Sequence, residues 1–243
     1  MKKEDYASYM NLKNPDFDPQ IEKILADNRG ITPVNYTDVN RIFDDEKLQD
    51  EIGFVKLQNG DYLVAMKTDM PDVTCEMAKW WFWWHVQESR RYQIWFPGEH
   101  LSSSYSPSNK KYFTGAFGAF EENTVYPVER IGKKTITLSI GFVKPGKFGI
   151  SEAHIKKTQN AFLLCGFVGV LKGIIQHTKM MHYFKPKGNG VELISRFWLG
   201  NGLPRLFKIF AANEAQAHEM AKHCWMEYNR LGMILPELYN KYK

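Results

Sequence analysis

The feature that most constrains the fold is one long helical pattern at the end of the chain, preceded by short β-prone segments. Asn213 followed by Gln216 resembles a capping box, which begins a helix by satisfying its first backbone N–H groups. Gly232 predicts the end of this helix and Pro236 the start of a non-helical tail. Because such a helix must bury its apolar face, the strands before it are expected to form a sheet that covers it.

Several segments before this helix have the spacing of antiparallel strands. Asn59-Gly60 separates two β-prone runs, FVKLQ and DYLVAM, and this dipeptide is the strongest short signal of a hairpin. A second hairpin is predicted with its tip at Lys187–Gly190. The apolar run 160–171 fits a buried strand or a buried helix, and we predict a strand. Further strands are expected around 113–120, 125–130 and 135–143.

Aromatic side chains are frequent, because 7 Trp, 12 Tyr and 16 Phe make up 14% of the 243 residues. Thr74 is a suitable N-cap for a helix. After it, large apolar side chains recur at i, i+3, i+4 and i+7, namely Met77, Trp80, Trp81 and Trp84. Such a stripe either packs in the core or lines a pocket for a flat ligand, and we favour core packing.

The first 50 residues are polar and charged, with two weak helical patterns. Asp18-Pro19 gives one helix a cap and a proline at its first position, and Gly30 ends that helix. We therefore divide the chain into a small N-terminal helical portion, 1–50, and one domain, 51–243. The predicted fold class is α+β, with an antiparallel sheet curved around the long C-terminal helix.

Charge and cysteine content exclude several functional classes. The net charge of +5 comes from scattered Lys and Arg, whereas nucleic-acid binding requires a clustered basic stripe. Three cysteines without a CxxC pair imply neither a disulfide framework nor a cysteine zinc site. The N-terminus lacks the apolar run of a signal peptide, and no apolar stretch approaches the roughly 20 residues that span a bilayer. We expect a soluble cytoplasmic protein that binds neither nucleic acid nor membrane.

A possible metal site lies in the C-terminal helix. His223 and Glu227 are four residues apart, so both side chains lie on one face and could bind one metal ion. Such pairs are common on protein surfaces, and alone this one is more often a surface pair than a site. His100, after a Pro-Gly turn, and Glu129, in a β segment, could complete it, although Glu129 could equally form a surface ion pair.

Five stretches together resemble one known family. They are TDMPDVTCEMAKWWFWWH, RYQIWFPGEHL, VERIG, GVELISRFWLG and HCWMEYNRLGMILPELY, in order over roughly residues 62–239. These stretches are similar to the 2,4-diacetylphloroglucinol hydrolase family, which includes phloretin hydrolase. The resemblance implies a zinc-dependent enzyme that hydrolyses the carbon–carbon bond between an acyl group and a phloroglucinol ring. It also implies a helix-grip fold like that of the birch-pollen allergen, and a homodimer formed through the N-terminal portion.

The same resemblance implies the site residues. One Zn²⁺ per chain would be held by His100, Glu129, His223 and Glu227, which match the family's two His and two Glu. Glu129 is also expected to take part in catalysis.

Residues that contact the substrate are implied in the same way. Tyr92, eight residues before His100, and His182 match catalytic positions that contact the ring, and both are expected to donate a hydrogen bond to a ring oxygen. Phe197 occupies a place where the family has a tyrosine, so it keeps a ring and loses a hydrogen-bond donor. Trp95 and Trp198 are expected to line the pocket, with core packing as the alternative.

Two other functions compete with this interpretation. The chain could hydrolyse another aryl ketone or a β-diketone with the same zinc. It could also be a non-catalytic carrier of hydrophobic aromatic ligands, because helix-grip folds often serve as carriers and a fold does not fix function. A carrier, however, has no need for four metal ligands that converge on one point.

Overall fold

The computed structural model describes residues 6–27, 30–107 and 122–243. Within these ranges the strands belong to a single antiparallel sheet. The predicted hairpins and the strand in 160–171 are confirmed, and the segment 113–120 lies outside the described residues. In chain order the strands are β1 (Gly53–Lys56), β2 (Tyr62–Met70), β3 (His100–Tyr105), β4 (Thr124–Ile131), β5 (Lys134–Thr137), β6 (Ser139–Val143), β7 (Phe162–Val170), β8 (Ile175–Lys187) and β9 (Gly190–Leu199).

Strand order places β9 and β8 in the interior of the sheet. The order is β1-β2-β9-β8-β7-β6-β4-β3, and β5 pairs with β4 outside this path. Long antiparallel ladders join β2 to β9, β9 to β8 and β8 to β7. The expected strands at 125–130 and 135–143 are present, the latter divided into β5 and β6.

The helices are short except at the C-terminus. In the described part of the chain no helix is both long enough and apolar enough to cross a bilayer. The α-helices of the described residues are α1 (Ala7–Asn11), α2 (Pro19–Asp27), α3 (Arg41–Asp44), α4 (Glu46–Asp50), α5 (Cys75–Trp84), α6 (Ser89–Trp95), α7 (Pro145–Phe148), α8 (Glu152–Lys157), α9 (Arg205–Ala211) and α10 (Glu214–Tyr242).

The long helix α10 begins where the sequence predicts and ends much later. Asn213 caps it, because its side chain accepts a hydrogen bond of 3.0 Å from the backbone N–H of Gln216. The predicted end near Gly232 is wrong, since the helix continues through Pro236 to Tyr242. Packing against the sheet outweighs the loss of one backbone hydrogen bond at proline. The buried stripe beyond the predicted end consists of Ile234, Leu235 and Leu238.

Two apolar clusters cover the two faces of the sheet. The larger cluster fills the concave face and contains α10 and the aromatic stripe of α5. Trp80, Trp81 and Trp84 are buried there, which confirms the core interpretation of that stripe. The smaller cluster packs residues 31–48 of the N-terminal portion on the convex face. All ten residues of β9 are buried as a result, since this strand is covered on both sides.

The N-terminal portion is attached to the convex face by hydrogen bonds as well as by apolar contacts. The indole of Trp198 on β9 donates to the carbonyl of Val34 at 2.8 Å. The buried guanidinium of Arg196 donates to the carbonyls of Leu48 and Gln49 at the end of α4. The division of the chain at residue 50 stays a prediction, but residues 31–48 pack directly on β9 and its neighbouring strands.

Replacing Arg196 with Met is expected to destabilise the protein by about 2–4 kcal/mol, because buried carbonyls lose a charged donor. Burial lowers the pKa of Arg196 only to about 10, so the side chain is charged at neutral pH. Urea unfolding followed by circular dichroism measures the change. The exposed Arg41→Met serves as the matched control and should shift the free energy of unfolding by less than about 0.5 kcal/mol. Equal effects of the two substitutions would contradict this account.

Candidate metal centre and cavity

The four predicted metal ligands come from three elements that meet between the sheet and α10. His100 is the first residue of β3, and it pairs directly with Glu129 of β4 across the two strands. His223 and Glu227 lie one turn apart on α10 and face this pair. The sheet and the helix each contribute one His and one Glu.

The ligand atoms of these side chains lie close together. His100 Nε2 is 3.4 Å from Glu227 Oε2, and His223 Nε2 is 3.9 Å from Oε2 of both Glu129 and Glu227. One ligand atom each of His100, His223 and Glu227 lies within 4.8 Å of the others. Metal bonds of about 2.0–2.1 Å in a tetrahedral site separate ligand atoms by about 3.3 Å. The spacing therefore suits one small cation after slight contraction.

Burial determines the protonation of this cluster. Desolvation lowers the pKa of His223 to about 4 and that of His100 well below its usual value, so both rings are neutral. Desolvation also raises the pKa of Glu129 to about 7 and that of Glu227 well above its usual range, with the charge of Glu129 adding to the second shift. Both carboxyls resist ionisation in the absence of a cation.

Unsatisfied nitrogen atoms indicate what the cluster lacks. The Nε2 atoms of His100 and His223 are buried and have no hydrogen-bond partner among the described residues. Their contacts with the carboxylates are close, but they lack hydrogen-bond geometry. Such buried polar atoms cost free energy unless a ligand satisfies them. Two neutral imidazoles and two carboxylates are a donor set that fits Zn²⁺.

Two aromatic residues of α6 hold the cluster in place. The ring of Tyr92 stacks on His100, with centroids 4.1 Å apart and planes 3° from parallel. Its hydroxyl donates a hydrogen bond to Glu129 Oε1. The indole of Trp95 contacts His100 edge-on and donates to the backbone carbonyl of Glu227 at 2.9 Å. Tyr92 thus orients both sheet ligands, and Trp95 fixes α10 at its second ligand.

A second polar group lies on the sheet beside this cluster. His182 on β8 is buried, and its Nδ1 is 2.8 Å from the hydroxyl of Ser195, its cross-strand neighbour on β9. Desolvation lowers the pKa of His182 to about 3, so the ring is neutral. The rings of Phe197 and Tyr228 lie 5.3 and 4.9 Å from it. His182 is therefore a neutral polar group that lies between two aromatic rings.

These residues surround a cavity of about 680 Å³ between the concave face and α10. Most of its surface is apolar, although polar and charged side chains also line it. His100, the fourth member of the cluster, is buried and does not line the cavity, but its Nε2 lies close to Glu227, which does. The predicted site residues that line the cavity are Tyr92, Trp95, Glu129, His182, Phe197, His223 and Glu227.

Trp198 was expected to line the pocket, and the structure places it on the opposite face of the sheet. It packs in the convex cluster against Tyr36 and Phe148 and donates to Val34. The reason is the alternation of side chains along a strand, because neighbours on β9 point to opposite faces. Phe197 faces the cavity, so Trp198 cannot.

Sequence reasoning missed several residues of the cavity. Ser195 follows from the register of the second hairpin, whose two-residue loop pairs it with His182. Tyr228 directly follows a predicted ligand on a buried helix and carries no signal of its own. His85 ends the aromatic helical run, and its Nδ1 donates to the carbonyl of Trp81 at 2.7 Å. His177 and Thr178 lie at a strand irregularity that the sequence does not reveal.

Comparison with known families agrees with this geometry. The family profile described as DAPG hydrolase PhiG domain matches residues 34–240, which is most of the chain. The chain belongs to the DAPG hydrolase family. The matched region contains all four proposed metal ligands, together with Tyr92 and His182 on the cavity wall. Membership in a hydrolase family favours an enzyme over a non-catalytic carrier.

Relatives within this family have named activities. A 2,4-diacetylphloroglucinol hydrolase from Pseudomonas protegens is 28% identical over 236 residues, covering 87% of this chain and 75% of that protein. A phloretin hydrolase from Eubacterium ramulus is 31% identical over 204 residues, covering 79% of this chain and 72% of that protein.

The sheet wrapped around α10 is a helix-grip fold. Among solved structures, Ara h 8.0201 matches with 13% identity and a TM-score of 0.36, covering 71% of this chain and 99% of that one. Norcoclaurine synthase from Thalictrum flavum matches with 7% identity and a TM-score of 0.39, covering 88% and 98%. Nothing about ligand or activity follows from likeness at this level.

Replacing Ser195 with Ala is expected to change the tautomer of His182. We expect the Ser195 hydroxyl to donate to Nδ1, which leaves the proton of the neutral ring on Nε2, facing the cavity. Without that hydroxyl both tautomers become populated. Nitrogen NMR of 15N-histidine-labelled protein distinguishes the two ring nitrogens. Ser195→Thr keeps the hydroxyl and is the control. Identical nitrogen shifts in wild type and Ser195→Ala would rule this arrangement out.

Proposed function

We propose that this chain is a zinc-dependent hydrolase that cleaves the carbon–carbon bond between an acyl group and a phloroglucinol-type ring. The observation that carries the proposal is the buried set of two His and two Glu beside a cavity whose surface is mostly apolar. A carrier of apolar ligands would gain nothing from burying these groups, which cost free energy without a cation. The names of the relatives supply the substrate class.

The reaction adds water across the scissile bond. Hydroxide from water bonds to the acyl carbon, the bond from that carbon to the ring breaks, and the ring carbon takes up the remaining proton. The products are a carboxylic acid and a phloroglucinol. Zn²⁺ held by His100, Glu129, His223 and Glu227 would supply polarisation of the acyl carbonyl and hydroxide at neutral pH. The phenol oxygens beside the breaking bond delocalise the charge left on the ring.

His182 and Tyr92 act on the ring oxygens in this proposal. His182, neutral and held at Nδ1 by Ser195, donates from Nε2 to an oxygen on which negative charge develops. Tyr92 already donates its one proton to Glu129, so it accepts a hydrogen bond from a ring hydroxyl. This differs from the donor role predicted for Tyr92 from sequence. Phe197 contributes an apolar wall beside His182.

The reaction consumes one water molecule, and further water must be excluded from the acyl carbon and the ring. Phe82, Trp95 and Phe197 on the cavity wall exclude it, and Tyr228 packs against His182. In such surroundings each hydrogen bond to a developing charge is stronger than in water. The chain's own residues thus bind the ring, orient it and stabilise the leaving carbanion.

Replacing His223 with Ala is expected to remove the metal and the activity together. One of four ligands is lost, so zinc measured by inductively coupled plasma mass spectrometry should fall from about one ion per chain to near zero. Hydrolysis of an acylphloroglucinol should fall by at least roughly 10³-fold.

The matched control is His218→Ala, because His218 lies earlier on α10 and contacts Glu22 outside the cluster. It should retain both zinc and turnover. Wild-type activity in zinc-free His223→Ala protein would overturn the metal part of this proposal.

The substrate class is tested with a panel of monoacetylphloroglucinol, 2,4-diacetylphloroglucinol, phloretin and a simple β-diketone. We expect liquid chromatography to detect release of phloroglucinol or its monoacetyl derivative. A chelator should stop the release, and added Zn²⁺ should restore it. Hydrolysis of the β-diketone alone would show that the phloroglucinol ring is not what the cavity recognises. The homodimer stays a prediction from the resemblance, and the cytoplasmic location stays a prediction from the sequence composition.

A further inference from the structure

A β-bulge turns an additional histidine toward the cavity. In the pairing of β7 with β8, Val168 faces Thr178 and the next residue, Gly169, faces Gln176, so His177 is an extra residue on β8. Neighbours on a regular strand point to opposite faces, yet both His177 and Thr178 line the cavity. The bulge accounts for this, since bulges redirect side chains and are frequent beside active sites.

One glycine of β7 and two in the turn after β9 allow the bulge to form. A Cβ atom at Gly169 would lie 2.2 Å from the carbonyl oxygen of Ile175, which no side chain can tolerate. A Cβ at Gly202 would lie 3.0 Å from the carbonyl oxygen of Gln176, and Gly202 has a φ of +99°. The backbone N–H of Gly200 donates to the carbonyl of His177 at 2.6 Å. The sequence therefore accommodates this irregularity at several positions.

His177 is a polar residue of the cavity wall. Its Nδ1 lies 2.9 Å from the Thr178 hydroxyl, which orients the ring and leaves Nε2 as the nitrogen available to a ligand. Desolvation lowers the pKa of His177, so the ring is neutral at pH 7. The cavity-lining neighbours on the adjoining strands are apolar, namely Val168, Val170, Met180 and Leu199.

This pair lies far from the reacting groups. Thr178 and His182 are four residues apart on β8, a separation of about 13 Å at 3.3 Å per residue. On α10, Gln216 and Glu227 both line the cavity and are separated by about 16 Å along the helix axis. An acetyl group ends one carbon beyond the scissile carbonyl and cannot reach His177. A longer acyl group that carries a second ring can.

We propose that His177 and Thr178 form a second polar subsite, which binds a hydroxyl group at the far end of the substrate's acyl chain. The subsite rests on the proposed function, which places the phloroglucinol ring at His182. A neutral imidazole offers either a donor or an acceptor at Nε2, and a hydroxyl satisfies both. The substrate class that follows is an acylphloroglucinol whose acyl group ends in a hydroxylated ring.

Three compounds test the subsite. Phloretin carries a hydroxyl on its distal ring, a matched dihydrochalcone lacks only that hydroxyl, and monoacetylphloroglucinol lacks the distal ring entirely. Wild-type protein should prefer phloretin over its deoxy analogue by about tenfold in kcat/KM, the effect of one hydrogen bond between uncharged groups.

Substitutions test whether His177 causes the preference for phloretin over its deoxy analogue. His177→Phe keeps a ring and removes the hydrogen bond, so it should lower kcat/KM for phloretin about tenfold and abolish the preference. Turnover of monoacetylphloroglucinol should be unchanged. Gln176→Leu, at the exposed neighbouring position, is the matched control and should behave as wild type.

Two outcomes overturn the subsite. One is equal turnover of phloretin and its deoxy analogue by wild type, and the other is an equal loss for all three compounds in His177→Phe. If no compound is hydrolysed, the proposed function fails, and binding decides the subsite separately. Tryptophan fluorescence titrations with phloretin and the deoxy analogue should then still differ about tenfold in Kd for wild type and agree for His177→Phe. Equal Kd values in wild type would refute the subsite.

Discussion

Burial of α10 in the concave face of the sheet is the interaction on which both the fold and the site depend. Toward its C-terminal end the buried face is apolar, with Leu231, Leu235 and Leu238 fully enclosed. One to two turns earlier the same face carries His223 and Glu227. The apolar half stabilises the helix, whereas the polar half costs free energy in the same environment. The two strands opposite add His100 and Glu129, and the four side chains together form a donor set that a cation would satisfy.

The proposed chemistry follows from this division of the helix. Neutral imidazoles and carboxyls with raised pKa values form a cluster that is incomplete without a cation. Next to it, the sheet supplies one neutral histidine held by a serine, in a cavity whose surface is mostly apolar. The phenolic ring of a planar substrate can pack against the apolar walls and bind His182, while its carbonyl group lies beside the cation. Charge and shape therefore favour one substrate orientation.

Sequence patterns predict the parts of this structure that depend on local chemistry. The hairpin at Asn59-Gly60 and the cap at Asn213 are determined by turn and capping preferences, and both are present. The two-residue loop after Lys187 sets the register that pairs His182 with Ser195. Strand alternation would also have excluded Trp198 from the cavity once Phe197 was assigned to it.

Other features depend on tertiary contacts and could not be predicted in this way. α10 continues through Pro236 because its far end is packed, and helix propensity contains no such information. The pairing of His100 with Glu129 brings together strands whose connection includes residues 108–121, outside the described part of the chain. The metal ligands themselves came from family resemblance, because a His and a Glu at helical spacing are not specific.

The double burial of β9 has a mechanical consequence. A strand with solvent on one side can bend outward to make room for a larger ligand. β9 has the N-terminal portion against its convex side, attached through Trp198 and Arg196, so it resists such bending. The curvature of the sheet is thereby fixed from outside. Enzymes built on this plan would adapt to new acyl groups by exchanging inward side chains, as at Phe197, while the backbone of the cavity stays in place.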